Sequence, residues 1–405
     1  MFFDPLSPEF RANPYPYYDM MRQGAPIFYL PEWNMWFCTR YEDCTALLRD
    51  NRLGHEILRV ISREELGWEP EDELPPAYLH LRQMQSKWML FRDPPHHTRL
   101  KGLVHKAFTP RMVEKLRGRI ETITAQLIEA QQDEMDLIAD FAIPLPVTVI
   151  AEMLGVPLQD QADFRRWSND LAGTLDLTGG APEIWDRAAI AAVEFDTYFR
   201  KLVTDRRKSP QDDLLTALVE AEEDGDKLTE DELIATCILL LIAGHETTVN
   251  LIGNGMMALM NNPDQLDRLR ENPDLIRNTV EELLRYDSPV QMTSRWALED
   301  IQYGDVTFKK GHQVALMFAA ANRDDEMFPN ASKLDITREN ANKHLSFGNG
   351  IHFCLGAPLA RLEGQIAIQT LLQCFPNIRI KPNAEIRHRK QYILRGVESL
   401  PVILK

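Results

Sequence analysis

The 405-residue sequence predicts a mainly α protein with a smaller β region. Three observations carry that prediction. From Asp93 to about Met260, apolar residues recur at helical spacing, with breaks at Pro144–Pro146, Gly155–Pro157, Gly179–Pro182 and Ser209–Pro210. A strand-like section follows at Ser294–Leu298 and Val306–Leu316, with turns at Gly304–Asp305 and Lys310–Gly311. No long Gly/Ser or Pro linker divides the chain. One domain over residues 1–405 is therefore expected. Its β part lies roughly at 20–55, 290–320 and 380–405, and its helices roughly at 90–290 and 357–375.

Taken in order, the first fifty residues mix short extended runs, Ile27–Leu30 and Met35–Thr39, with a helical run after Arg40. Residues 54–90 read as irregular and rich in large side chains, among them Trp68, Tyr78, Met84 and Trp88. The clearest local signal comes at Leu228. Thr229 and Glu232 have capping-box spacing, and Leu228 with Leu233 fits a hydrophobic staple. Ile234, Cys237, Ile238 and Leu241 then mark one helix face, and helical signals run to Asn261-Asn262-Pro263. Such a helix would be about 45 Å long, enough to cross the molecule. Two more helical runs end near Tyr286, and Pro358 opens another that reaches about Cys374.

Composition excludes several classes. Lys and Arg total 45 against 61 Asp and Glu, a formal charge of −16, which does not suit a nucleic-acid binder. Five cysteines without a CxxC pair argue against a disulfide-stapled secreted scaffold. The proline-broken N-terminus lacks the pattern of a signal peptide. The most apolar stretch, Ile238–Gly244, is far shorter than the roughly 20 residues that span a bilayer. A soluble, cytoplasmic protein without a membrane span is expected.

Two segments carry chemistry. Ala243-Gly244-His245-Glu246-Thr247-Thr248 sits in the middle of the long helix. Gly costs a helix about 1 kcal/mol, and tandem threonines are indifferent helix formers, so local rules are broken inside a well-specified element. Gly244 would admit a close approach, Thr247 can bond back to a carbonyl, and an acid beside a hydroxyl can relay protons. The same residues also fit a helix-packing notch. The second segment is Phe347-Gly348-Asn349-Gly350-Ile351-His352-Phe353-Cys354-Leu355-Gly356. Its glycines imply a tight loop with exposed N–H groups, and Cys354 would lie at a helix N-terminus, where thiolate is favoured. A buried inert cysteine and a zinc site of His344, His352 and Cys354 are the alternatives, but the zinc set lacks a fourth ligand. An axial thiolate to haem iron fits the glycine-lined loop better.

FGNGIHFCLG resembles the cysteine-ligand signature of the cytochrome P-450 family, and AGHETT resembles its oxygen-activating helix motif. Glu282-Leu283-Leu284-Arg285 matches the family's Glu-x-x-Arg, and Asp93-Pro94-Pro95-His96-His97-Thr98-Arg99 resembles the start of its haem-propionate helix. The marks run in family order from about residue 10 to the end. The wording around GHETTVNL and ARLEGQIA is similar to soluble bacterial members acting on polyketides and fatty acyl chains. The resemblance implies the cytochrome P-450 fold, with haem b between a long central helix and the cysteine loop. Cys354 would be the axial iron ligand, and Gly348, Gly350 and Gly356 would bring N–H groups to its sulfur. Glu246 and Thr247 would deliver protons. His97, Lys101, Arg295 and His352 would meet the propionates, with Lys101 standing where arginine is frequent. Ala243, Gly244 and Phe347 would touch the cofactor, while Glu282 and Arg285 would form a buried structural pair.

By the same resemblance the substrate pocket would be walled by residues 84–90 and 171–182, with Met89, Leu239, Ala243, Val290, Met292, Ile393 and Leu394 among its residues and Gly179–Gly180 hinging a lid. The implied activity is insertion of one atom of O2 into a C–H bond of a lipophilic small molecule: a polyketide or macrolide, a fatty acyl chain, a terpenoid or a steroid. Electrons would come from NAD(P)H through a separate ferredoxin or flavodoxin, and the protein would be a monomer. Lys101, Lys106, Arg111 and Lys115 would form the donor's basic docking patch. A peroxide-driven hydroxylase and a haem-dependent sensor without turnover are the competing readings.

Overall fold

The computed structural model describes residues 4–5, 7–176, 182–223 and 225–405. The chain begins with two short proline-started helices, Pro8–Ala12 and Tyr15–Gly24, whose aromatic residues pack together: the Phe10 and Tyr18 rings are 5.6 Å apart. Five strands then form a mixed sheet: β1 (Ile27–Leu30), β2 (Met35–Cys38), β3 (Leu53–Gly54), β4 (Thr293–Ala297) and β5 (Gln313–Leu316). Their order is β1-β2-β5-β4-β3, antiparallel except for the parallel β2/β5 pair. β1 and β2 are joined through Asn34 at φ 48, a left-handed position that asparagine tolerates. The sheet thus joins the first and last thirds of the sequence.

The helical part is built around the element that the capping box announced. We label α1 (His96–Ala107), α2 (Glu230–Asn261), α3 (Ile276–Tyr286) and α4 (Ala357–Cys374). In α2, Thr229 accepts from the Glu232 backbone N–H at 3.3 Å, and the Glu232 carboxylate accepts from the Thr229 N–H at 2.9 Å. The helix has 32 residues, close to the expected length. It packs against Pro144–Met153, Gln161–Ala172, α3 and α4. By length and apolarity α2 could cross a bilayer, unlike the short Ile238–Gly244 run considered alone. Yet 72% of its most apolar window is buried within the protein, so its apolar surface is already used by neighbouring helices.

Three expectations need correction. The segment 54–90 is not wholly irregular, because Pro76–Gln85 is a helix that buries Leu81 and Met84. The supposed break at Pro144–Pro146 is the first turn of helix Pro144–Met153, where the missing proline N–H costs nothing. The strand-like run Val306–Leu316 is two strands, because Val306–Phe308 folds back on Ile301–Tyr303 as a separate hairpin. The break at Gly155 is real, with φ at +72.

Candidate active site

The cysteine loop connects the sheet side of the molecule to α4. Gly348 and Gly350 both have positive φ, +72 and +70, and a Cβ at Gly350 would stand 2.8 Å from the Leu48 carbonyl oxygen. Only glycine fits there without displacing backbone. The loop closes on itself where the Cys354 N–H donates to the Phe347 carbonyl at 2.9 Å. Cys354 then precedes α4, with Pro358 in the first turn. Burial raises the thiol pKa, while the N–H groups of Gly356 and Ala357 and the charges of Lys101 and Arg361 oppose it. Although it lies deep in the fold, Cys354 keeps accessible surface, as does Ala243 halfway along the otherwise buried α2. Accessible surface at interior positions describes an internal hollow.

Behind the loop stands a polar brace. The Arg361 guanidinium donates to Glu281 at 2.6 and 2.9 Å and lies over the Phe347 ring. His344 Nε2 is 3.2 Å from the same carboxylate. Burial pushes the Glu281 carboxyl up, but these two partners win and hold it at about 2. His344 is therefore engaged with Glu281 rather than free to serve a zinc ion, and no metal-holding cluster occurs among the described residues. Deeper still, Glu282 and Arg285 are fully buried and paired at 2.7 Å, with Arg338 on the same carboxylate at 3.1 Å.

One corner of the site gathers basic side chains. The His97 and His352 rings are 4.2 Å apart, and the His55 ring is 4.8 Å from His352. Arg295 is nearby and buried, and among the described residues its guanidinium bonds only Thr293 and the Ser294 carbonyl. Burial lowers its pKa to about 10, with Asp93 opposing. Burial, then the Lys101 charge, takes His97 to about 4, and burial with Arg295 takes His352 to about 2. His97 Nδ1, His55 Nε2 and the indole Nε1 of Trp88 are buried without a hydrogen-bond partner. A buried basic cluster with orphaned nitrogens, whose nearby acids Asp93 and Glu56 are already bonded to backbone N–H groups, has room for a further anion. Beside a thiol on an internal hollow, it fits a cofactor with one iron and two carboxylates.

Lys101 is placed differently from expectation. Its ammonium donates to the carbonyls of Ile351 and Phe353, the latter at 2.8 Å, so it grips the cysteine loop from α1. The ammonium of lysine has three N–H donors, so two are used on backbone and one is left for a carboxylate.

On α2, Thr247 Oγ1 donates to the Ala243 carbonyl and Thr248 Oγ1 to that of Gly244, both at 3.0 Å. A Cβ at Gly244 would meet only Ile150 at 3.5 Å, so packing within the protein does not demand this glycine. Glu246 is buried and ion-paired to Arg389, and its other oxygen lies 3.5 Å from His245 Nε2. Burial raises its pKa, but His245 and then Arg389 outweigh burial and hold it at about 2. Glu246 therefore bonds Arg389 on the C-terminal loop, a partner 143 residues away that local pattern could not indicate.

Of the expected pocket residues, Leu239, Met89 and Leu394 are buried at 6–9% exposure, while Val290 and Ile393 are half-buried. Val290 bridges Leu394, and the Gln291 N–H donates to the Ile393 carbonyl at 2.8 Å, so these three share one loop junction. Met292 is 1% exposed in the cluster of Tyr18, Phe37, Met317 and Tyr392, a packed position with no surface to offer a ligand. The proposed hinge Gly179–Gly180 lies outside the described residues.

The family model for cytochrome P-450 matches residues 180–390. The chain belongs to the cytochrome P-450 family. It is 43% identical to the polyketide biosynthesis cytochrome P-450 PksS of Bacillus subtilis, over all of this chain and 99% of that one. To the 6-deoxyerythronolide B hydroxylase of Saccharopolyspora erythraea it is 38% identical, over 98% of each. Among solved structures it resembles BioI in complex with an acyl carrier protein ligated to hexadec-9Z-enoic acid. That match has a TM-score of 0.90 and 42% identity, over 98% of this chain and 99% of that one. Cytochromes P-450 bind haem b, and members of the family are oxidoreductases that use O2 and a redox partner.

Proposed function

We propose that this cytochrome P-450 is a monooxygenase that hydroxylates the C–H bonds of a long lipophilic polyketide or fatty acyl chain. Electrons come from NAD(P)H through a separate ferredoxin or flavodoxin. Haem, when bound, would supply the oxygen-activating chemistry. Cys354 holds the haem iron from the loop, and the Gly356 and Ala357 N–H groups stabilise its thiolate. His97, Arg295 and His352 receive the two carboxylates, while Lys101 holds the loop at Ile351 and Phe353. Glu246 and Thr247 move protons from the Arg389 side of α2 toward the hollow. Leu239, Ala243, Val290, Ile393 and Leu394 supply an apolar wall, which suits an unactivated chain.

The observation that carries this reading is the intact acid–alcohol pair, Glu246-Thr247, on the same helix as exposed Ala243. It favours oxygen activation over a sensor or a peroxide-driven hydroxylase, neither of which requires a proton relay. Substrate class is supported by the relatives: one is named for polyketide biosynthesis, one as a 6-deoxyerythronolide B hydroxylase, and one was solved with an acyl carrier protein bearing a fatty acid. The reduced, CO-bound protein should show the thiolate-ligated Soret band, and a band typical of histidine-ligated haem would sink the Cys354 assignment. A spectral-shift titration with free fatty acids, acyl carrier protein conjugates and macrolactones then tests substrate class. No shift with any of the three refutes the lipophilic-chain reading.

A further inference from the structure

His55 has no part in the scheme above, yet it stands in the basic corner of the site. It follows β3 directly, and its backbone is fixed from two sides. The His55 N–H donates to both Asp93 oxygens at 2.9 and 3.0 Å, and the Glu56 N–H donates to Asp93 at 2.9 Å. The Asp93 N–H returns a bond to the Glu56 carboxylate at 2.9 Å. A Cβ at Gly54 would lie 2.5 Å from an Asp93 oxygen, so this close approach of strand end to α1 is available only to glycine. The position of His55 is therefore set by the same aspartate that opens the segment carrying His97.

The ring sits edge-on to His352 at 4.8 Å and 6.0 Å from Phe91. Its Nε2 is shut off from solvent and has no partner in the protein. The basic groups around it are Arg295, His97 and His352, and the acids beside it are Asp93 and its sequence neighbour Glu56. Asp93 already accepts three N–H bonds, and Glu56 is committed to the Asp93 N–H, Arg59 and Arg92. Neither acid is free to serve the imidazole. An oriented, buried ring nitrogen without a partner is rare in a native fold unless a ligand completes it, and in the Nε2–H tautomer it is a donor.

We propose that His55 is a third imidazole of the haem-carboxylate site, donating from Nε2 to a propionate beside His97 and His352. The inference rests on haem b being the family's cofactor and is independent of which substrate is oxidised. Its chemistry is plain: two carboxylates need several donors, and Lys101 already gives two of its three N–H groups to the loop carbonyls.

The test separates a carboxylate contact from packing. Wild type, His55→Phe and His55→Gln proteins are each loaded with haem or with haem dimethyl ester, which lacks the negative charges. Loss of either group to excess apomyoglobin is then timed. His55→Phe should speed haem loss about tenfold, the factor of one charge-assisted hydrogen bond, and leave loss of the ester little changed. His55→Gln, which keeps a donor, should lie nearer wild type. The readout is the ratio of the two accelerations in His55→Phe. A ratio above about threefold supports the contact. A ratio near one, or haem loss unchanged, overturns it. Should His55→Phe fail to fold, the same ratio is read in His55→Gln against a His55→Leu protein.

Discussion

Replacing Arg389 by alanine should weaken the protein in a pH-dependent way, because it removes one of two groups that keep a buried acid ionised. Glu246 is 6% exposed, one oxygen on the Arg389 guanidinium and the other toward His245. Its pKa is about 2 in the fold against an ordinary 4.5. That difference, 4.5 − 2, is worth about 3 kcal/mol at 1.36 kcal/mol per unit. The folded value is the lower one, so the stabilisation is complete above pH 4.5 and fades as the pH falls toward 2. With Arg389 gone, burial still raises the pKa and His245 alone opposes it. The loss at pH 7 should fall between about 1 and 3 kcal/mol. The assay is urea unfolding of wild type and variant at pH 7 and pH 3.5. The gap should close by about 1 kcal/mol at the lower pH, where wild type has begun to lose the same contribution. A gap that stays constant would mean that Arg389 acts by packing, and the ion-pair argument would fail.

Glu363 should behave in the opposite sense. Burial raises its pKa to about 8, and both oxygens lack a partner, since the Thr248 hydroxyl donates to the Gly244 carbonyl instead. Stability should therefore decline from pH 4.5 to 8, and Glu363→Gln should remove that decline, gaining about 3–4 kcal/mol on wild type between pH 5 and pH 8. An equal difference at both pH values would falsify this. Glu282→Gln leaves Arg285 and Arg338 buried without their counter-charge, at about 3–5 kcal/mol in urea unfolding; a loss under about 1 kcal/mol contradicts the buried-network argument. Thr247→Ala should divert electrons from product to peroxide, measured as peroxide formed per NAD(P)H, and unchanged coupling speaks against a relay role for its hydroxyl.

What could be read from sequence was local. The Thr229–Glu232 cap, the glycine pattern of the cysteine loop and the Glu282–Arg285 spacing each lie within a few residues, where helix period and φ preference act directly. The helix Pro76–Gln85 was hidden because no polar cap announces it; its N-cap is a proline without a side-chain bond. Arg389, His55 and the grip of Lys101 were illegible for another reason. Their partners are 143, 297 and 250–252 residues away, and only folding brings them together. Trp88 was noted as a bulky residue, but its orphaned indole N–H is a property of its surroundings.

The grip of Lys101 gives the cofactor's lifetime a mechanical basis. One ammonium joins α1, which carries His97, to two carbonyls of the loop just ahead of the Cys354 sulfur. On the proposed roles of these residues, the carboxylate end and the iron end of the site would be tied together. Haem loss would then be sensitive to a local opening of the loop from α1 as well as to the iron–sulfur bond.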